Sequence, residues 1–329
     1  MVRVSLIIPC YNEEARIVLL LNSIIAQTYP LGDMEVIFSD GMSTDQTRSL
    51  IRQFQQQHEL PKISIIDNAK RVIPAALNRA IEAATGDLVI RMDAHTIPAQ
   101  DYIALSVQAF DEGKGEDIGG VIDIQPGSAT WIAKGIAVAT RHPLGVGDAK
   151  YRWAKTASYA DTVAFGTYAR KVFDEIGFYD ESLIANEDYE LNARLRAVGG
   201  RIWVDPAIRA TYYSRPDLSS LARQYFTYGY YKFQMLKRYP QTIRWRQALP
   251  PLFVFGILML LLLASFWQIA RWLFILVVAL YLFILLAGSI PEVVKQKNLL
   301  LLIGIPLAIM TMHFSWGTGF WWSIIKKTN

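Results

Sequence analysis

The chain has 329 residues, a formal net charge of +4 and 52% hydrophobic residues, which makes it too apolar for an ordinary soluble protein of this length. The single cysteine, Cys10, excludes a framework of intramolecular disulfides. Aromatic and basic residues mix between Leu221 and Arg246, but no nucleic-acid-binding motif accompanies them, so we expect no nucleic-acid partner.

The first part of the chain alternates short apolar runs with helical patterns, which predicts an α/β fold with parallel strands. The predicted elements are, in chain order, strand 4–8, helix 13–27, strand 36–38, helix 44–55, strand 63–66, helix 73–84 and strand 88–92. The N-terminal apolar run is interrupted by Pro9 and Asn12, and it is too short for a signal peptide. We therefore expect this domain to stay in the cytosol.

Polar residues stand at the carboxyl end of each predicted strand. They are Tyr11–Glu13, Asp40, Asp67 with Arg71, and Asp93–His95. In open α/β sheets the ligand lies outside the carboxyl ends of the strands. The sequence therefore predicts a ligand site along this edge.

The pattern weakens between Pro126 and Tyr159, which predicts a partly mobile stretch bordering the site. Regular structure is expected to return with a helix over 187–198, ended by Gly199 and Gly200, and with a short strand over 202–204.

Three apolar segments close the chain, at 252–269, 272–290 and 299–316. A helix needs about 20 apolar residues to cross a bilayer, so each is long enough or nearly so. Basic residues precede the first segment and Lys295 and Lys297 follow the second, which places both flanks in the cytosol. Three crossings would send Lys326 and Lys327 outside, against that rule, unless 316–325 lies along the interface or turns back.

Four segments in order carry a resemblance to known proteins. They are VSLIIPCYNE at 4–13, DGMSTD at 40–45, RMDAH at 91–95 and NEDYEL at 186–191. Together they resemble family 2 glycosyltransferases, and among these the succinoglycan-type exopolysaccharide glucosyltransferases, over residues 2 to about 235. The resemblance implies a GT-A fold, a Rossmann-like mixed sheet that binds a nucleotide sugar.

Asp93 and His95 follow a strand and stand two residues apart, so both side chains can reach one side of a tight turn. A divalent cation, Mn²⁺ or Mg²⁺, would neutralise the diphosphate of the donor. The family's usual second ligand is Asp, and His95 departs from it, although imidazole suits Mn²⁺. The alternative for His95 is a loop histidine that hydrogen-bonds the backbone. Asp93 is also expected near the ribose.

By resemblance, Pro9, Tyr11, Glu13 and Asp40 line the nucleoside pocket. Tyr11 can stack on the base, and the Asp40 carboxylate can accept the imide N–H of uracil. Arg71 is expected to contact the base or the diphosphate, and its alternative is a solvated arginine at a helix start.

Asp188 is predicted to be the general base that takes the proton of the acceptor hydroxyl. Its place near a helix N-terminus is expected to keep it ionised. Glu187 is expected to point elsewhere and to orient a loop or the acceptor. The alternative is that both acids merely favour the first helical turn.

Arg223 and Gln224 are predicted to help close over the diphosphate. Gln241–Trp245 matches the Gln-x-x-Arg-Trp signature of processive polysaccharide synthases, but it lies farther from the Glu-Asp motif than in those enzymes. We interpret it as a coincidence next to the membrane.

The sequence thus predicts a cytosolic GT-A catalytic domain over 1–218, an interfacial aromatic and basic helical region over 219–249, and about three transmembrane helices over 250–329. The predicted activity is inverting transfer of a hexose, from a nucleotide sugar such as a UDP-hexose, to a lipid-linked saccharide at the cell membrane. Alternatives are transfer to a polyprenyl phosphate, processive polysaccharide synthesis, and a non-enzymatic membrane assembly scaffold. The oligomeric state stays open.

Overall fold

The computed structural model describes residues 2–147 and 149–326. The contacts divide the chain into two compact units. Unit 1 contains residues 1–123 and 149–212, and unit 2 contains residues 124–148 and 213–329. The predicted boundaries at 218 and 249 concern placement in a membrane and stay a prediction.

Strands β1–β9 form one sheet. Their bounds are β1 Val4–Cys10, β2 Met34–Asp40, β3 Lys62–Asp67, β4 Leu88–Arg91, β5 Thr96–Pro98, β6 Asp117–Gln125, β7 Ser158–Tyr159, β8 Ala164–Ala169 and β9 Ile202–Tyr213. Among the described residues the strand order is β3-β2-β1-β4-β8-β6-β9-β5, with β7 also paired to β9. Strands β1 to β4 are mutually parallel, and β8 is antiparallel to β4 and to β6. This mixed sheet confirms the predicted fold class.

Six helices of unit 1 connect these strands. They are α1 Ile17–Ile25, α2 Thr47–Gln57, α3 Ile73–Ala83, α4 Tyr102–Asp111, α7 Arg170–Ile176 and α8 Glu187–Ala197. The predicted strands and helices up to residue 92 are confirmed, with ends that differ by a few residues. Strand β1 is buried at every position, as expected for a parallel strand that is covered on both faces.

The helices of unit 2 are α5 Trp131–Ala139, α6 Pro143–Val146, α9 Leu218–Arg238, α10 Trp245–Ala264, α11 Gln268–Gln296 and α12 Leu301–Ile325. Helices α10, α11 and α12 are long and apolar enough to cross a membrane. The buried core of this unit draws residues from α5, α9, α11 and α12, including Ile136, Leu221, Leu285 and Ile309.

Several sequence-based expectations in this part of the chain are wrong. Residues 126–159 contain α5, a helix that the sequence pattern did not predict, because it carries Ala and Gly at buried positions and shows no apolar stripe. The mobility expected of this stretch stays a prediction. The turn between the first two apolar helices lies at 265–267 rather than at 270–271. Strand β9 has 12 residues instead of three.

The C-terminal helix also differs from one expectation. Helix α12 continues without a break past Trp316 to Ile325, so the chain does not turn back at Trp316. Lys327, which enters the charge argument for this end, lies outside the described residues.

Candidate active site

The parallel register brings the carboxyl ends of four strands to one edge of the sheet. Cys10 pairs with Asp40, and Asp40 pairs with Asp67. On the other side of β1, Ile7 pairs with Arg91, the last residue of β4. The polar residues predicted to follow these strands therefore start from neighbouring positions, as the sequence indicated.

Asp40 is fully buried at the end of β2, and both of its carboxylate oxygens have partners. The backbone N–H of Ser43 donates to Oδ2 at 2.9 Å, and the Ser43 hydroxyl donates to Oδ1 at 2.5 Å. Arg48 Nε lies 3.1 Å from Oδ2. Asp40 thus fixes the loop that follows β2, a role that the sequence did not indicate, and its contact with a base stays a prediction.

Tyr11 and Arg71 flank that loop. The Tyr11 side chain is 47% exposed, and the Arg71 guanidinium lies 5.9 Å from the centroid of its ring. Gly41 lies so close to Tyr11 that an added Cβ would be 3.2 Å from its side-chain atoms. An exposed ring beside a cation is suited to stacking on a nucleobase, and Pro9, buried on β1, lies two residues upstream.

Glu13 and His95 contact each other directly. His95 Nδ1 lies 3.0 Å from Glu13 Oε1, and both side chains are about one-quarter exposed. A histidine that binds a metal typically uses its second ring nitrogen to donate to a carboxylate, which fixes the ring. Glu13, assigned above to the nucleoside pocket, therefore has a contact that suits orientation of the His95 ring.

Within the described residues, no group of three or more His, Cys, Asp or Glu side chains could hold a metal ion. Asp93, with a side chain 22% exposed, and His95 supply a carboxylate and an imidazole, a donor set that accepts Mn²⁺.

Arg91 connects the strand that leads to Asp93 with the start of α8. Its Nη2 lies 3.3 Å from Asp93 Oδ1, and its Nη1 lies 3.1 Å from Glu187 Oε1. The same Nη1 also donates to Asp188 Oδ1. One buried guanidinium thus contacts three carboxylates, and no separate role for Arg91 was predicted from the sequence.

The expectation that Glu187 points away from Asp188 is wrong. Both residues stand in the first turn of α8, after Asn186, whose φ is +67°. Both side chains reach the same guanidinium nitrogen of Arg91. Glu187 has a 10% exposed side chain and Asp188 a 28% exposed one, so Asp188 is the more open of the two carboxylates.

Burial changes the protonation of this cluster. Burial raises the pKa of Glu187 to about 7, while Arg91 opposes the rise and Asp188 adds to it. The pKa of Asp188 is also raised, again through burial and against the influence of Arg91. Burial tends to lower the pKa of Arg91, but the carboxylates of Asp188, Asp93 and Glu187 raise it well above its ordinary value. Burial therefore opposes the expected effect of the helix N-terminus, which was to keep Asp188 ionised.

Asn78, on α3, holds the segment that precedes α8. Its Nδ2 donates to the carbonyl oxygen of Tyr179 at 2.9 Å, and the Tyr179 N–H donates to its Oδ1 at 2.9 Å. Arg194 of α8 donates to the carbonyl oxygen of Phe178 at 2.6 Å. The only sequence signal for this arrangement is a polar residue, Asn78, within the apolar face of a predicted helix.

Two further predicted segments belong to unit 2. Arg223 and Gln224 lie on α9, where Gln224 donates to the Tyr228 hydroxyl at 2.9 Å, and their contact with a diphosphate stays a prediction. Residues 241–245 lead into α10, whose first residue, Trp245, is 59% exposed.

Comparisons with known proteins find a matching family model and related sequences. Residues 5–177 match the family model described as glycosyl transferase family 2. A 2,3-diacetamido-2,3-dideoxy-β-D-glucuronosyltransferase of Methanococcus voltae, named as acting on dolichyl N-acetyl-α-D-glucosaminyl phosphate, is 30% identical over 98% of this chain and 97% of its own length. Succinoglycan biosynthesis protein ExoA of Rhizobium meliloti is 31% identical over 96% of this chain and 93% of its own.

Solved structures share the fold at low sequence identity. The mannosyltransferase PcManGT of Pyrobaculum calidifontis, solved with GDP-Man and Mn²⁺, has a TM-score of 0.62 and 18% identity over 98% of this chain and 87% of its own. TarS 1-349 of S. aureus, solved with UDP-GlcNAc, has a TM-score of 0.52 and 17% identity over 73% of this chain and 72% of its own.

Proposed function

Since the chain belongs to glycosyl transferase family 2, we propose that it transfers a hexose, with inversion at the anomeric carbon, from a UDP-sugar to a lipid-linked saccharide. The observation that carries the proposal is the contact of buried Arg91 with Asp93, on the donor side, and with Asp188, at the start of α8. It holds a carboxylate beside the strand end where the donor diphosphate is expected.

Asp188 is proposed as the general base. As the acceptor hydroxyl oxygen attacks the anomeric carbon, its proton passes to the Asp188 carboxylate and the bond from the sugar to the nucleoside diphosphate breaks. Of the two acids on Arg91 Nη1, Asp188 keeps the larger exposed fraction, so it can face an acceptor. A raised pKa makes it a better proton acceptor.

Asp93 and His95 are proposed to hold a divalent cation together with the diphosphate. When bound, such a cation acts as a Lewis acid that stabilises the charge on the leaving nucleoside diphosphate. Glu13 orients the imidazole of His95, and Tyr11 with Arg71 binds the nucleoside.

The acceptor and its location are inferred from the apolar helices and from the relatives. The Methanococcus voltae relative is named for a dolichyl-linked acceptor, and helices α10 to α12 can reach the bilayer in which such a lipid lies. We propose that unit 1 lies on the cytosolic side of the cell membrane, because basic residues flank the apolar helices there.

The test is transfer of radiolabel from a panel of UDP-, GDP- and dTDP-sugars into lipid extract by the purified full-length protein with Mn²⁺. The anomeric configuration of the product is then read by NMR. Asp93→Ala is the site variant, and Asp174→Ala, at an exposed acid on α7, is the matched control.

Label entering the lipid fraction from a UDP-sugar with an inverted anomeric centre, and lost in Asp93→Ala alone, supports the proposal. Retention of configuration contradicts it. A product in which the sugar is joined directly to a polyprenyl phosphate would replace the proposed acceptor with the phosphate itself.

A further inference from the structure

Helix α12 differs from α10 and α11 in how much of its surface the protein covers. In the most apolar stretch of each helix, 17% of α10 and 11% of α11 is buried, against 44% of α12. Helices α10 and α11 therefore leave most of their apolar side chains for lipid, whereas α12 uses nearly half of its own in contacts within unit 2.

The main partner of α12 is α9, and the two helix backbones touch. A Cβ placed on Gly229 of α9 would lie 2.0 Å from the carbonyl oxygen of Trp316. A Cβ placed on Gly319 of α12 would lie 2.1 Å from the carbonyl oxygen of Phe226. Both positions need glycine because helices approach this closely only where no side chain intervenes.

The two helices run in the same direction. Near the middle of α9 the Tyr225 ring centroid lies 6.5 Å from that of Trp316. Farther along, Gln234 Nε2 donates to the Ser323 hydroxyl at 2.6 Å. Because residue numbers rise together along both helices, the C-terminal end of α12 lies beside the C-terminal end of α9.

Helix α9 is not suited to cross a bilayer. It carries four basic residues, namely Arg223, Lys232, Lys237 and Arg238, and within the described residues it is not among the helices apolar enough to span. Charged side chains inside the hydrocarbon are costly. If α12 crossed the membrane, its parallel partner would carry these charges into or across the bilayer.

We propose that α12 does not cross the membrane and that, among the described helices, only α10 and α11 cross it, as a hairpin. The α9–α12 pair then lies in the headgroup layer. Trp322 and Ile325 stay exposed near the end of α12, followed by Lys326. This combination is typical of a helix that lies along an interface.

A single hairpin places α9 and α12 on the same side of the membrane. Helix α9 follows β9 after four residues, and α12 follows α11 after four residues. Two crossings return the chain to the side from which it started, so Lys326 lies on the same side as unit 1. Trp267, Arg271 and Trp272, at the tip of the hairpin, belong to the opposite interface.

Cysteine labelling tests this topology in the full-length protein. Cys10 is the only cysteine, so Cys10→Ala gives a background without thiols. Single cysteines are then introduced as Glu59→Cys in unit 1, Gln268→Cys at the hairpin tip and Lys326→Cys after α12. A membrane-impermeant maleimide is applied to intact cells and to permeabilised cells, and the labelled fraction is measured.

We expect Lys326→Cys and Glu59→Cys to show the same labelling in intact cells. Gln268→Cys should differ from both, because it lies on the other side of the membrane. Labelling of Lys326→Cys together with Gln268→Cys, on the side opposite Glu59→Cys, would overturn the proposal in favour of three crossings. Labelling of all three from one side would overturn it by showing that the hairpin does not cross. The readout is independent of enzymatic activity, so it stands whatever the sugar transfer assay gives.

Discussion

Arg91 Nη1, at the end of strand β4, lies 3.1 Å from Glu187 Oε1, in the first turn of helix α8. These residues are 96 positions apart in the chain, and their contact joins the strand end that precedes Asp93 to the helix that carries Asp188. An ion pair with this little exposure is a fixed structural connection, because removal of one partner leaves the other charge buried and unpaired.

The first prediction concerns Arg91. Arg91→Met should lower the free energy of unfolding by about 3–5 kcal/mol, because carboxylates remain buried without a cation. Arg91→Lys should lose less stability but still lose activity, since an ammonium cannot contact all three carboxylates in the geometry of the planar guanidinium. Thermal unfolding in detergent and the transfer rate check this. Arg79→Met, at an exposed position of α3, is the control, and equal melting temperatures for both Met variants would contradict the assignment.

The second prediction concerns the contact of Glu13 with His95. Glu13→Gln should weaken metal binding by about 10–100-fold, because the carboxylate no longer orients the imidazole. The measurement is the Mn²⁺ concentration that gives half-maximal transfer, together with direct binding of Mn²⁺ in the presence of UDP. Glu14→Gln serves as the neighbouring control. A metal dependence that is the same in the Glu13 variant and in the parent would show that this pair has no part in metal binding.

Features that depend on neighbouring residues in the chain were predicted from the sequence, whereas contacts between residues far apart in the chain were not. The four parallel strands and the polar residues at their ends were predicted because apolar runs and their terminating residues are local signals. The roles of Arg91 and Asn78 were not predicted, since each depends on a partner about 100 residues away whose approach is set by the sheet order. Helix α5 was missed because its small residues do not alternate with polar ones in a helical pattern.

The third prediction concerns Asn78. Asn78→Ala should lower the free energy of unfolding by about 1–3 kcal/mol, because the backbone N–H and carbonyl of Tyr179 lose their buried partner. The transfer rate should fall as well, since this segment precedes the helix that carries Asp188. Chemical unfolding and kinetics check both effects, with Ser182→Ala, an exposed position on the same segment, as the control. Unchanged stability would mean that the hydrogen bonds are replaced by water.

The fourth prediction follows from the raised pKa of Glu187. The folded protein holds this proton up to a pKa of about 7, whereas an unfolded glutamic acid loses it near pH 4.3. The folded state therefore binds more protons in this window, and its stability should fall as the pH rises from about 4.5 to about 7. The contribution is on the order of 3–4 kcal/mol, because a difference of one pKa unit corresponds to about 1.4 kcal/mol.

Thermal unfolding of the parent and of Glu187→Gln between pH 5 and pH 8 measures this contribution. The decline with rising pH should be smaller in Glu187→Gln, which has no proton to lose. Parallel pH profiles for the two proteins would show that Glu187 is already ionised in the folded state.

The central claim is that Asp188 removes the proton of the acceptor hydroxyl, and the most direct test is the rate of sugar transfer by Asp188→Asn at saturating donor and acceptor. UDP affinity is measured in parallel by calorimetry. The account predicts a rate that falls by about 10²–10⁴-fold while UDP still binds as in the parent. An unaltered rate would contradict it and would point to an acceptor, such as a polyprenyl phosphate, that needs no base.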